Sequence, residues 1–337
     1  MGASIAANGA TTNLMSSQAN TPSPRTNLVI ERAGVPITVP DTDDPVDREF
    51  KKLMEADDVA HKEVDDWILE NQARGAGQAV PARELNERIL KRLEPIRQGY
   101  KDFIERHPSH VGVRIAYGSF LGGLRDEDGE IEQLEKAREL DPENAAILNN
   151  LATHYGHVGP TDKALAYYEK AVAIDPNQPL YYRNFGDVVF LFRVAAMDYY
   201  KITEQEVYNK ALGLYEKALK LEPTNFSLAE EVAKTYYGIR PVRTDDALAA
   251  WTNALKLATT DVEREGVFIH MARFKLNAGR FDEARALMRA VTNEVHNVLK
   301  ERVSFVINER ERMAKESNSP PGVVSTNGVP ATTNAPR

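Results

Sequence analysis

The sequence predicts an all-α protein: stacked helical hairpins, a helical cap at each end of the stack and a polar tail beyond each cap. Three observations predict this. Four segments end alike, in FIERHP, RELDP, AVAIDP and ALKLEP, with prolines at Pro108, Pro142, Pro176 and Pro223, so the intervals are 34, 34 and 47 residues. Self-similarity at such a period is the mark of a repeat architecture. Between the prolines, apolar residues recur at i, i+4 and i+7, which places them on one helical face. The 337 residues are 42% hydrophobic and 27% charged, enough for a packed core, and the length gives a prior of about two domains.

Composition removes several function classes. Lys plus Arg total 42 against 50 Asp plus Glu, a net charge of −8, so the basic footprint of a generic nucleic-acid or anionic-membrane binder is lacking. No cysteine is present, which excludes disulfides, thiolate catalysis and Cys-ligated metal and leans mildly toward an oxidising compartment. No run of 18 apolar residues spans a membrane. Met1 is not followed by a basic region and an apolar stretch, and Ala6 stands where a myristoylated Gly2 would need Ser or Thr. The expectation is a soluble protein, cytoplasmic as written and extracytoplasmic if an upstream signal precedes it.

Residues 1–44 are rich in Ala, Asn, Thr, Ser and Pro and carry no helical stripe, and residues 317–337 hold one charged side chain, Arg337. Both are read as disordered tails, because they bury too little apolar surface to offset the entropy of ordering. An extended stretch at 28–30 or 35–39 remains able to dock on the body. Residues 45–110 are expected to form a helical hairpin cap. Asp44-Pro45 opens one helix, with Val46, Phe50, Leu53, Val64, Trp67 and Ile68 as its apolar positions, and residues 74–81 break it. The second helix carries Leu85, Ile89, Leu93, Ile96, Tyr100 and Phe103 and is expected to kink at Pro95.

The repeats follow over 111–298. The unit 145–178 supplies Leu151, Ala152 and Tyr155, then Gly159, then Ala164, Tyr168, Ala171 and Pro176. That set closely resembles the tetratricopeptide repeat (TPR). The unit 111–144 matches less fully, with Tyr117, Gly118, Leu121, Leu134, Ala137 and Pro142, and Glu130 where the next unit has Ala164. The unit 179–225 has Phe185, Gly186, Ala211, Tyr215, Ala218 and Pro223 and a 13-residue insertion. Residues 226–261 carry Val232, Ala233, Tyr236, Ala247, Trp251 and Ala254, and 265–298 form a degenerate fifth unit with Met271, Ala272, Gly279, Phe281, Ala284 and Met288. The resemblance implies a right-handed α-solenoid of helix-turn-helix repeats. Small residues let paired helices approach, large ones fill the gap to the next unit, and proline ends each second helix because it cannot donate the intrahelical bond. Thr292–Lys315 is read as one continuing helix, apolar at Val295, Val298, Leu299, Val303, Val306 and Ile307, with the charges of ERERMAKE meeting solvent and residues 299–316 forming the C-terminal extension beyond the repeats.

In the family the first helices line a concave groove. By register that face holds Ile115, Ser119 and Gly122; Asn149, Thr153 and His157; Arg183, Asp187 and Phe190; Glu230, Lys234 and Tyr237; and Arg273 and Asn277. These from Asn149 onward are the candidate partner-binding residues. Asn150 and Asn184 fit one feature of the carboxylate clamp used by chaperone-binding relatives, but Asn149 and Thr153 stand where its Lys and second Asn belong, so chaperone-tail binding is not expected. The insertion is a second candidate surface. There the first helix is read as running past Phe192 to Tyr199 and Tyr200, and TEQE at 203–206 has the form of a capping box. Met197, Tyr199, Tyr200, Val207 and Tyr208 would lie on a projecting hairpin, packing on each other or meeting a partner, since Tyr and Met are enriched at interfaces.

Chemistry-bearing motifs are lacking. His154 and His157 are three apart on a helix, but no third ligand completes a metal set and there is no HExxH. His107 and His110 flank a turn proline, and no GxGxxG, Walker A or GxSxG occurs. No cofactor or metal is expected. The chain reads as a non-catalytic scaffold or adaptor for a protein or peptide partner, with no nucleic acid and no membrane span. The alternative is a structural or assembly subunit of a larger complex at a bacterial cell envelope, in which homo-oligomerisation is an open option.

Overall fold

The structure, a computed structural model, describes residues 28–32, 35–39, 44–75 and 78–317. It divides into two compact units, Met1–Pro223 and Thr224–Arg337. In the first unit, strands β1 (Leu28–Arg32) and β2 (Val35–Val39) pair antiparallel, with Ile30 opposite Ile37. Val, Ile and Thr make up four of the five residues of β2, and Val29 and Ile30 sit in β1, which suits extended backbone. The hairpin lies within the segment read as a tail, at the stretches allowed to dock. The remaining tail residues, 1–27, 33–34, 40–43 and 318–337, lie outside the described residues.

Helices α1 (Pro45–Ala73) and α2 (Ala82–Arg106) form the first helix pair. Asp44 caps α1 by accepting from the Val46 N–H at 2.7 Å, and Pro45 at the first turn has no N–H to satisfy. α2 runs unbroken through Pro95. Phe50, Met54, Tyr100 and Phe103 are buried together with Val113 and Phe120 of α3 (Val111–Gly123). Three repeat hairpins follow: α3 with α4 (Glu127–Leu140), α5 (Ala145–Val158) with α6 (Thr161–Ile174), and α7 (Pro179–Leu191) with α9 (Glu204–Leu221). Helices α4, α6 and α9 end one residue before the X-Pro pairs at 141–142, 175–176 and 222–223, because the residue before proline is disfavoured in α conformation. Ala137, Ala171 and Ala218 are fully buried, and Tyr168 stacks on Phe185 of the next hairpin at 5.6 Å between ring centroids. Strand β2 lies against α3 and α5.

The insertion departs from expectation. The chain leaves helical geometry at Phe192 (φ −103°, ψ 42°), and a separate helix α8 (Arg193–Tyr200) packs on α6 and α9 rather than extending α7 outward. Ala196 is its buried anchor. The capping box at Thr203 and Glu206 opens α9, with both reciprocal bonds present.

In the second unit, α10 (Phe226–Thr235) pairs with α11 (Thr244–Leu257), and α12 (Asp261–Asn277) with α13 (Phe281–Ala290). Helix α12 opens one turn earlier than the unit 265–298 anticipates, on a capping box of Thr260 and Glu263. Trp251, Ala254, Ala272 and Ala284 are fully buried. The last helix is not continuous from Thr292. A 3₁₀ turn at Glu294–His296 separates α13 from α14 (Asn297–Ser317). Ile307 of α14 is buried against Ile269, Leu276 and Met288, with Val303 beside it, whereas Val295, Val298, Leu299 and Val306 face solvent. The six apolar positions read as one stripe thus divide between two faces.

Candidate functional site

In the first unit the expected face is ordered around amides and hydroxyls. Asn149 is fully buried; its amide donates to Asn150 Oδ1 at 3.2 Å and its carbonyl accepts from Asn184 Nδ2 at 3.2 Å, tying α5 to α7. Thr153 is half-buried, donates to the Asn149 backbone carbonyl at 3.0 Å and lies 2.8 Å from the Tyr168 hydroxyl. His157 is exposed. Asp187 accepts from the Tyr215 hydroxyl at 2.7 Å. Burial pushes its carboxyl above the usual range, against the Tyr215 bond and the Arg183 charge, which favour ionisation. Phe190 meets the Tyr208 ring at 5.7 Å. Asn149 and Thr153 are therefore spent on internal bonds, and Arg183, Asp187 and Phe190 remain half-buried on α7. Ile115 and Ser119 are buried on α3.

The second unit carries its own set. Lys234 is exposed and donates to Glu230 at 2.9 Å, one helical turn away. Tyr237 is stacked on Phe274 at 4.5 Å, its hydroxyl lies 2.9 Å from His270 Nδ1, and the Arg273 guanidinium sits 5.1 Å from its ring centroid. Burial drives the Tyr237 hydroxyl up to about 12 and His270 down to about 4, the latter helped by Arg273 and Lys234. Asn277 accepts from Arg310 at 2.8 Å and so serves to seat α14. The structure thus brings Tyr237 and Arg273 together.

On α8 and α9 the expected projection is a packed corner. Tyr199 and Tyr200 meet edge to face at 4.8 Å, Tyr199 donates to Glu169 on α6 at 3.4 Å, and the Lys210 ammonium sits 4.1 Å from the Tyr200 ring centroid. Met197 and Tyr208 are half-buried, and Val207 is buried. A recess lined by Thr161, Asp162, Ala195, Asp198, Tyr199 and Lys201 opens between α6 and α8.

Sequence reasoning missed three buried polar devices. The Glu130 carboxylate fills the space a Cβ on Gly122 would take, 2.8 Å away, and lies 3.0 Å from Nδ1 of buried His154. Asp57 is fully buried on α1, accepts from Tyr100 at 2.6 Å and lies 2.9 Å from His61. Glu265 on α12 accepts from the Thr292 N–H, the Thr292 hydroxyl and the Asn293 N–H at 2.9, 2.8 and 2.7 Å. A lone acidic residue at an otherwise apolar or small position was the available signal in each case. Among the described residues no three His, Cys, Asp or Glu groups converge to hold a metal ion, and no helix is long and apolar enough to cross a membrane.

Helices α5 and α6 and the turn after them, residues 145–178, are matched by the family model described as tetratricopeptide repeat. Residues 145–178 thus match one tetratricopeptide repeat, and helical hairpins of similar length flank it on both sides. The chain is 32% identical over 108 residues to the mouse protein O-mannosyl-transferase TMTC1, a match covering 31% of this chain and a tenth of that protein's length. It is 26% identical over 153 residues to the photosystem I assembly protein Ycf3 of Acaryochloris marina, covering 44% of this chain and 86% of that one. Among solved structures, YrrB, described as a TPR protein with an unusual peptide-binding site, superposes with a TM-score of 0.47 at 15% identity, covering 60% of this chain and 96% of that one.

Proposed function

We propose that the chain is a non-catalytic adaptor that binds a protein or peptide segment on the first-helix faces of its repeats. The observation that carries this is the ledge in the second unit, where half-buried Tyr237 lies under Arg273 beside exposed Lys234. Aromatic and Arg side chains on a rigid support are the usual anchors of protein recognition. Helices fix the ledge before any partner arrives, so little ordering entropy is spent on binding. In the first unit, Arg183, Asp187 and Phe190 on α7 offer a similar mixture of charge and aromatic surface. Binding is favoured over catalysis because the titratable groups of these faces already sit in pairs: Asp187 with Tyr215, Glu230 with Lys234, His270 with Tyr237. No nucleic acid is assigned as partner, given the net charge of −8.

The test is selection of displayed peptides on the intact chain, followed by titration of the selected peptides against Arg183→Ala, Lys234→Ala and Arg273→Ala. Loss of affinity of about tenfold or more is expected for the variant whose face binds, as for a truncated interfacial charge. Unchanged affinity in all three variants would clear both faces and leave the α8 corner with Tyr199 as the surface to examine.

A further inference from the structure

Helix α14 is anchored on one side and bare on the other. Its inner side is fixed by buried Ile307, by Glu311 bonded to Arg285, and by Arg310 bonded to Asn277. That anchoring sets the rotation of the helix and decides what faces out. Val298 is 71% exposed, Phe305 66%, Leu299 46% and Val306 37%. The series Val298, Arg302, Phe305, Glu309 has spacings of four, three and four residues, the seam of a helix that packs against another helix. Leu299 and Val306 flank that seam. An exposed phenylalanine among aliphatic neighbours on a well-anchored helix is an uncovered contact surface.

The charges in the seam select the occupant. A second copy of α14 laid parallel would set Arg302 on Arg302 and Glu309 on Glu309, two like-charge contacts. Laid antiparallel about a twofold axis between positions 305 and 306, residues whose numbers are symmetric about that axis face one another. Phe305 then meets Val306 of the other copy, and Arg302 meets Glu309 of the other copy, twice. A twofold interface must be self-complementary in this way, each patch meeting its own image. Glu309 already accepts from Arg312 at 2.8 Å within the helix, and a carboxylate has room for a second donor. We propose that α14 is a self-association surface, pairing antiparallel with α14 of a second copy through Phe305, Val306 and reciprocal Arg302–Glu309 ion pairs. At 21 residues the helix is about 30 Å long. One such face is smaller than a standard interface, so the dimer forms reversibly in the micromolar range.

Sedimentation equilibrium on the intact chain tests this. The unaltered chain shows a concentration-dependent monomer–dimer equilibrium. Phe305→Glu abolishes it, with helical circular dichroism unchanged because the side chain is exposed. Arg302→Glu alone and Glu309→Arg alone each weaken the dimer by about tenfold or more, and the double variant restores it, since the two reversed charges face each other again. A chain that stays monomeric to high micromolar concentration would overturn the proposal. So would a dimer that survives Phe305→Glu, or a double variant that associates no better than the single ones.

Discussion

The Trp251 and His270 rings lie face to face, 4.3 Å between centroids and 4° from coplanar. The contact joins α11 to α12, and the Tyr237 hydroxyl lies 2.9 Å from His270 Nδ1 at the edge of the imidazole. The neutral imidazole fits this slot. Burial first, then the charges of Arg273 and Lys234, lower its pKa to about 4.

Stability should therefore fall in acid. An unfolded histidine takes up its proton near pH 6.5, whereas the folded one resists until about pH 4. Between those values the unfolded state binds more protons, so stability rises with pH across that window and is lost as pH drops through it. The shift corresponds to on the order of 3 kcal/mol when the window is fully crossed. Urea melts at pH 7, 5.5 and 4 should show this loss, and His270→Phe, which keeps an aromatic ring against Trp251, should flatten that part of the profile. An equal pH slope in the variant would show that His270 does not carry it.

Two glycines in the third hairpin should respond in opposite directions. A Cβ at Gly186 would stand 2.7 Å from the Tyr215 ring, which is buried and held by its bond to Asp187. Overpacking there costs about 1–3 kcal/mol, more than the gain of up to about 1 kcal/mol from placing Ala in a helix. Gly213 on α9 has open space around the same vector, so Gly213→Ala should stabilise by about 0.5–1 kcal/mol. Chemical denaturation of both variants checks the pair.

Removal of the Glu265 carboxylate should loosen the start of α14. Burial opposes its ionisation, yet the bonds from Asn293 and Thr292 hold it below the usual carboxylate range. Glu265→Ala leaves two backbone N–H groups and a hydroxyl without their acceptor, at about 1–3 kcal/mol for each donor that water cannot reach. Amide exchange at Thr292 and Asn293 should quicken in the variant before any change appears in α11.

The 34-residue period was sufficient to place the hairpins, because it encodes contacts that recur: Ala171, Ala218 and Ala254 are all fully buried where the register put them. The helix break at Phe192 was not legible. No glycine or proline marks it, and it is imposed by packing of Ala196 and the rest of α8 on α6 and α9. The stripe on α14 was misjudged because apolar residues at 298, 299, 303, 306 and 307 satisfy a helical pattern for two different faces, and only the anchoring of Ile307 decides between them. Of the candidate site, Tyr237 and Arg273 were placed by register. Their supports, His270 and Trp251, come from helices whose meeting no local spacing announces.

The contact between α2 and α3 offers the sharpest test of a buried polar contact, because two stacked tyrosines there differ in what their hydroxyls do. Tyr100 and Tyr117 lie 5.2 Å apart with planes at 21°. The Tyr100 hydroxyl donates to Asp57 at 2.6 Å, and Asp57 is fully buried, whereas the Tyr117 hydroxyl has no hydrogen-bond partner among the described residues. Tyr100→Phe preserves the ring and withdraws one donor from a carboxylate that water cannot reach, so it should cost about 1–3 kcal/mol. Tyr117→Phe removes the same atom from the neighbouring ring and should cost less than about 0.5 kcal/mol, the scale of an uncoupled substitution. If urea denaturation gave the two variants equal losses, the hydroxyl of Tyr100 would be contributing bulk rather than a bond, and Asp57 would have to be satisfied by His61 at 2.9 Å instead.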